Sequence, residues 1–168
     1  TLYFTVQNGY TEAGSDEVKF DEEGYKKVLE KYNINGDEDY TYTFELQNVE
    51  TGEIYKGQLT TSGVLTFENI SYGTYRAIEG EDEYFDFVEM LGIVEIPGVS
   101  FKEDENGGII TIKPTGEDIT YGVNIINKIE EPASNPNTTN NSSKLIIVIL
   151  SIVLCITILV LKRKFLKN

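Results

Sequence analysis

The chain has 168 residues, with 28 acidic and 14 basic side chains, no His, no Trp and one Cys. This composition excludes an intramolecular disulfide framework, a multi-Cys zinc site and imidazole catalysis, and the net charge of −14 argues against nucleic-acid binding. An apolar content of 40%, with 11% aromatic residues, is enough to bury a core, so a wholly disordered chain is excluded as well.

The first 24 residues predict a short strand followed by an acidic segment. Residues 1–8 (TLYFTVQN) resemble residues 120–127 (TYGVNIIN) at an offset of 119 positions. On one interpretation residues 1–8 end a preceding domain, with Asn8 in the role of Asn127, and an acidic linker follows to residue 24. On the other, residues 2–7 pair within the domain that follows. Because no initiator Met or signal peptide precedes the strand-like run, we expect the C-terminal part of a longer protein.

Residues 25–129 predict an all-β fold, an antiparallel Ig-like or prealbumin-like sandwich of about seven strands. Over residues 40–46 apolar and polar side chains alternate strictly, which is typical of a strand with one buried face. Further β-rich runs are separated by Gly-containing turn signals and occupy residues 54–59, 64–67, 72–78, 109–112 and 119–126. Residues 84–99 fit either an edge strand or a long crossing loop. No run predicts the crossover helices of a parallel sheet, which favours a sandwich.

Three runs in this body point to a known family. They are FEL at 44–46, GVLTFENI at 63–70 and GTYRAIE at 73–79. Their order resembles the CnaB/SpaA-type (prealbumin-like) domain of Gram-positive adhesins and pilins, over about residues 26–128. The most specific element is the GxYxxxE pattern, the E-box of that family. This sequence departs from the family after Glu79, where the acidic run GEDE replaces the usual Thr-x-Ala-Pro.

The resemblance implies a candidate cross-linking site. In many such domains a Lys on the first strand and an Asn on the last strand form an isopeptide bond, which the E-box Glu promotes. Carried over, Glu79 is the catalytic carboxyl, Asn127 supplies the carboxamide, and Lys31, or alternatively Lys27, supplies the amine. Burial lowers the pKa of a Lys and raises that of a carboxyl, so this single-turnover reaction needs all three side chains in the core. The alternative is that these side chains are solvated at strand ends.

The C-terminal region predicts a linker and a membrane span. Residues 130–144 are rich in Pro, Asn, Ser and Thr and lack apolar periodicity, which indicates an extended linker. Residues 145–161 form an apolar run of 17 residues, about 26 Å as a helix and within tolerance of a ~30 Å hydrocarbon core. Residues 162–168 are basic, whereas residues 1–143 carry a net charge of −19. The positive-inside rule therefore places the tail in the cytoplasm and the acidic body outside.

This order of polar motif, apolar span and basic tail resembles the cell-wall sorting signal of Gram-positive surface proteins. The motif consists of Asn135, Pro136, Asn137, Thr138 and Thr139. It is closer to the NPQTN type than to LPxTG, since it lacks the leading Leu and the final Gly. By that resemblance a sortase cuts after Thr138 and joins its carboxyl group to peptidoglycan or to another pilin subunit, and Pro136 kinks the peptide. The alternative is a plain single-pass protein with a polar stalk.

Together these patterns imply a cell-wall-anchored surface protein whose visible part is a stalk- or pilin-type module of an adhesin. It is expected to be a sortase substrate and not a turnover enzyme, with a host matrix protein as a further partner and the membrane as a partner before processing. A pilin shaft subunit would be expected to carry a polymerisation motif similar to Tyr-Pro-Lys. No Lys follows a Pro in this sequence, which favours a basal pilin or a monomeric adhesin. Three acidic triplets, at residues 37–39, 81–83 and 103–105, lack the spacing of a Ca²⁺-binding loop, so we expect no metal and no cofactor. The alternative function is a ligand-binding extracellular module of a permanently membrane-anchored protein.

Overall fold

Nine strands and one helix account for the regular structure in residues 1–36, 40–105 and 107–133, which are the residues that the computed structural model describes. Residues 1–132 form one compact unit with a core of its own. In chain order the elements are β1 (Leu2–Thr11), α1 (Glu22–Lys31), β2 (Thr41–Asn48), β3 (Ile54–Thr60), β4 (Leu65–Phe67), β5 (Gly73–Glu79), β6 (Phe85–Gly92), β7 (Val99–Asp104), β8 (Gly107–Ile112) and β9 (Tyr121–Glu130).

The strands form two sheets, which confirms an all-β sandwich. The first has the order β4-β1-β9-β6 and the second β3-β2-β5-β8-β7. Every pairing between named strands is antiparallel except that of β1 with β9, which is parallel over ten residue pairs from Leu2–Tyr121 to Thr11–Glu130. The prediction of a purely antiparallel sandwich is therefore wrong for the described residues, and eight strands, β2 to β9, begin within residues 25–129, where about seven were predicted. A parallel pair cannot be joined by a tight hairpin, and β1 and β9 are the first and last strands, with all the other elements between them in the chain.

The core lies between the inner faces of the two sheets and follows from the predicted alternation. In β2 the side chains of Tyr42, Phe44 and Leu46 are buried, and the residues between them face outward. The ring of Phe4 on β1 lies 4.4 Å from that of Phe44 and 6.0 Å from that of Phe67, measured between centroids. Tilted and edge-on aromatic contacts of this kind add to the free energy gained from burial. The aromatic cluster thus joins β1 firmly to the second sheet.

Strand β1 corrects the proposed domain boundary. Residues 1–24 were divided above between a preceding domain and a linker, with the sandwich starting at residue 25, but β1 lies between β4 and β9 in the first sheet. Leu2 and Phe4 are fully buried in the same core as the later strands. The interpretation that residues 1–8 pair within the visible domain is the one the structure supports. The 119-residue offset of the sequence repeat is the register of this strand pair, in which Asn8 lies beside Asn127.

Helix α1 contains Lys27 and Lys31, which the family resemblance would place on a first strand. The carboxylate of Asp21 caps the helix by accepting a hydrogen bond from the Gly24 N–H at 2.8 Å, and two Glu residues follow in the first turn. Val28 and Leu29 are buried, and Tyr25 packs beside them. This i, i+3, i+4 spacing is that of a helix with one apolar face, so the expectation of a strand at Lys27 and Lys31 is wrong.

The segment 84–99, for which strand and loop were both considered, contains the edge strand β6. Its pairing with β9 shifts register between Phe87 and Glu89, which marks a β-bulge. Among the residues that the structure describes, no helix is long and apolar enough to cross a membrane. The predicted sorting motif, the apolar run 145–161 and the basic tail lie outside the described residues.

Candidate functional site: a buried carboxyl–carboxamide pair

Glu79 and Asn127 meet in the interior of the sandwich. Glu79 is the last residue of β5 in one sheet, and Asn127 lies on β9 in the other. The Asn127 Nδ2 group donates a hydrogen bond to Glu79 Oε1 at 2.7 Å. Asn127 is fully buried, and both residues continue the inward-facing rows of their strands. The structure thus brings together two of the site residues that the family resemblance implied.

Three further side chains complete what we call the polar core cluster: Glu79, Asn127, Tyr42, Asn8 and Thr61. The Tyr42 hydroxyl donates a hydrogen bond to Asn8 Oδ1 at 3.0 Å, and Asn8 Nδ2 donates to Thr61 Oγ1 at 3.2 Å. Asn8 is also the direct neighbour of Asn127 across the parallel strand pair. The cluster therefore joins β1 to β2 and β5 to β9 by polar contacts between the two sheets.

Burial sets the electrostatics of this cluster. The pKa of Glu79 is raised to about 7, chiefly by desolvation; the hydrogen bond from the Asn127 N–H lowers it, and the nearby negative charge of Asp82 raises it to a smaller degree. Burial also raises the pKa of Tyr42, so its hydroxyl stays protonated as a hydrogen-bond donor. A carboxyl with this pKa exchanges its proton near neutral pH. Glu79 can therefore act either as a donor or as an acceptor toward the Asn127 carboxamide.

The structure does not bring a predicted Lys to this pair. Lys31 is the last residue of α1 and forms an ion pair with Glu131, with 45% of its side chain exposed. Lys27 lies one turn earlier on the helix and pairs with Glu23 at 2.6 Å, with 65% of its side chain exposed. The expectation that either Lys lies on the first strand and points into the core is therefore wrong. The first strand is β1, its sequence LYFTVQNGYT contains no Lys, and Asn8 occupies the inward position beside Asn127.

Sequence reasoning missed the roles of Tyr42 and Thr61, and it assigned Asn8 to a separate domain as one of two alternatives. Signals for two of these residues were present. Tyr42 belongs to the alternating row 40–46, so its ring had to point inward with a hydroxyl that needs a partner. The repeat at offset 119 already aligned Asn8 with Asn127. No sequence pattern marked Thr61, which reaches the cluster only through the packing of the two sheets.

The cluster offers no set of metal ligands. Within residues 1–36, 40–105 and 107–133, no group of three or more Asp, Glu, Cys or His side chains is placed to hold a metal ion. The acidic residues 37–39 and the sorting-motif residues Asn135 to Thr139 lie outside this part of the chain.

Comparison with known proteins finds two similar solved structures. No family model matches the chain, and no curated protein matches it. Among solved structures, two crystal forms of a bacterial adhesin from Mobiluncus mulieris match with TM-scores of 0.44 and 0.43 and 16% sequence identity. That adhesin is described as containing intramolecular disulfide, isopeptide and ester cross-links. Each match covers 76% of this chain and 40% of the adhesin, so this chain spans about two fifths of the adhesin's length.

Proposed function

We propose that this chain is part of an adhesin-like surface protein of a Gram-positive bacterium, in which residues 1–132 form a stalk- or pilin-type module that carries tension. The observation that supports this most is the pairing of β1 with β9. The two strands run in the same direction over ten residue pairs, so the start of β1 and the end of β9 lie at opposite ends of the pair. Tension between them loads all the interstrand hydrogen bonds in shear, so they must break together.

The contacts at the end of β9 favour the same role. Glu131, just after the strand, forms an ion pair with Lys31, and its carboxylate accepts a hydrogen bond from the Ala13 N–H at 3.3 Å. Its own N–H donates to Thr11 O at 2.8 Å. The Tyr32 hydroxyl donates to the carbonyl oxygen of Glu130 at 2.7 Å. The point where the chain leaves the sandwich toward the linker is thus tied to both α1 and β1.

The shear argument is tested by pulling the 1–132 unit in two directions. The single Cys of the chain is Cys155, so cysteines introduced into this unit are its only thiols. Handles at Thr1 and Pro132 load the β1–β9 pair in shear. Handles at Thr1 and Thr120 load it from one end, because the Tyr121 N–H donates to Thr1 O there. We expect a clearly higher unfolding force for the first geometry, and equal forces would contradict a load-bearing β1–β9 pair.

We propose further that the module is anchored through the C-terminal pattern. A sortase would cleave after Thr138 and transfer its carboxyl group to peptidoglycan or to another pilin subunit, after residues 145–161 have held the chain in the membrane. The sequence order of motif, apolar run and basic tail supports this. In this view the chain is a sortase substrate and not itself a turnover enzyme, and a host matrix protein is a partner of the assembled adhesin.

Wall fractionation tests the anchoring. Thr138→Ala should move the protein from the wall fraction to the membrane fraction, whereas Ser142→Ala, a hydroxyl lost from the same linker outside the motif, should leave it in the wall. Retention of the Thr138 variant in the wall would contradict sortase attachment at this residue. Recovery of both variants and of the unaltered protein in the membrane, with the C-terminal tail intact, would favour the alternative of a permanently anchored single-pass protein.

A further inference from the structure

Two buried oxygen atoms in the polar core cluster have no hydrogen-bond partner, and they belong to the same pair of residues. They are Glu79 Oε2 and Asn127 Oδ1. The other two polar atoms of these groups, Oε1 and Nδ2, are hydrogen-bonded to each other at 2.7 Å. Both oxygens are acceptors when Glu79 is ionised, so neither can satisfy the other. Leaving buried acceptors without partners is costly, and the presence of two of them on one hydrogen-bonded pair calls for an explanation.

We propose that Glu79 carries a proton on Oε2 and donates it to Asn127 Oδ1, closing a two-bond acid–amide pair that latches the two sheets together and opens when the proton is lost. A single proton gives partners to both unpartnered oxygens, since a carboxylic acid and a carboxamide are complementary in donors and acceptors. The latch joins β5 to β9, and β9 is also the partner of β1. It is a conformational device of this domain that does not depend on a Lys or on sortase attachment.

The surroundings of Glu79 favour the neutral form. On β9 it faces the uncharged Asn127, and on β2 the Tyr42 hydroxyl remains protonated. On β1 the neighbouring polar side chain is the neutral Asn8, which is bound to Tyr42. The charged group that acts on Glu79 is Asp82, in the segment between β5 and β6, and its negative charge opposes ionisation. Within the described residues, no cation contributes to the pKa shift of Glu79.

The latch has a definite pH dependence. Burial raises the pKa of Glu79 from 4.5 to about 7, so the folded state holds this proton over a pH range in which the unfolded state has released it. Stability from this group is therefore fully present below about pH 4.5 and is lost as the pH rises through about 7. A pKa difference of this size corresponds to an increase of about 200-fold in the unfolding equilibrium constant between pH 4 and pH 8. Other carboxylates also titrate in this range, so the effect must be isolated by a matched variant.

The test compares Glu79→Gln with the unaltered 1–132 unit by urea unfolding at pH 5 and pH 8. Gln keeps the acceptor Oε1 and places an N–H where the proposal places the acid proton, so it mimics the closed latch at every pH. We expect the two unfolding constants to agree within about fivefold at pH 5, and that of Glu79→Gln to be at least tenfold lower than that of the unaltered protein at pH 8. Glu103→Gln, at an exposed position of β7, controls for the loss of one acidic charge. An equal effect of Glu79→Gln at both pH values would overturn the proposal.

A second measurement needs no variant. The carboxyl carbon of Glu79, followed by NMR in selectively labelled protein, should titrate with a midpoint near 7, well above the exposed Glu residues. A midpoint at the ordinary value near 4.5 would overturn the latch even if Glu79→Gln failed to fold. Neither measurement involves the wall or the sortase, so failure of the latch and failure of the proposed anchoring are separate outcomes.

Discussion

Replacing Asn8 by Lys should convert the polar core cluster into a cross-linking site. Asn8 and Asn127 are neighbours on parallel strands, and Glu79 is hydrogen-bonded to Asn127. The new Nζ would attack the Asn127 Cγ atom, forming a C–N bond, while Nδ2 leaves as ammonia and Glu79 carries the proton. Burial favours the neutral amine that this step requires. The unaltered protein has no Lys at this position and should keep its full calculated mass.

The expected gain in stability follows from the loop that the bond would close. Cross-linking residues 8 and 127 encloses about 120 residues, which the chain-entropy model values at about 5 kcal/mol. Against this, the substitution removes the hydrogen bonds from Asn8 to Tyr42 and Thr61, at about 1 kcal/mol each. We therefore expect a net increase of about 3 kcal/mol in the free energy of unfolding.

Intact mass spectrometry and urea unfolding of the 1–132 unit measure both quantities. Asn8→Lys should lose the mass of one ammonia, and Glu79→Ala in the same background should prevent that loss. Gln7→Lys is the matched control, because residue 7 is exposed and points to the opposite face of β1. A folded Asn8→Lys protein with its full calculated mass would refute the idea that this site needs only an amine. Ammonia loss in Gln7→Lys would refute the assignment of the inward position.

Three further predictions concern stability, each measured by urea unfolding. Phe4→Ala should cost about 3–5 kcal/mol, because the ring is fully buried against Phe44; a loss below 1 kcal/mol would contradict the place of β1 in the core. Tyr42→Phe should cost about 1 kcal/mol through the lost hydrogen bond to Asn8, with no change in the slope of unfolding against urea. Lys31→Met should change stability by less than about 1 kcal/mol, because its ion pair with Glu131 is partly exposed, and a larger loss would mean a buried role.

Several parts of the site were predictable from local patterns. The family resemblance selected Glu79 and Asn127, and the alternation along their strands agrees with that choice because it turns both side chains inward. The same rule applied to β1 would have selected Asn8. The assignment of Lys31 or Lys27 as the cross-linking amine failed because it placed these residues on a strand, whereas both lie on helix α1. The Asp21 cap and the spacing of Tyr25, Val28 and Leu29 already indicated a helix.

By itself the sequence determined the β-rich character of the body, the inward rows of its strands and the contrast between an acidic body and a basic tail. These properties depend on near neighbours in the chain, whose side chains alternate with a fixed period. The tertiary structure alone decided that β1 inserts between β4 and β9, that this one pairing is parallel, and that Asn8, Tyr42 and Thr61 surround the Glu79–Asn127 pair. Contacts between residues more than 100 positions apart depend on how whole sheets pack, and no local pattern contains that information.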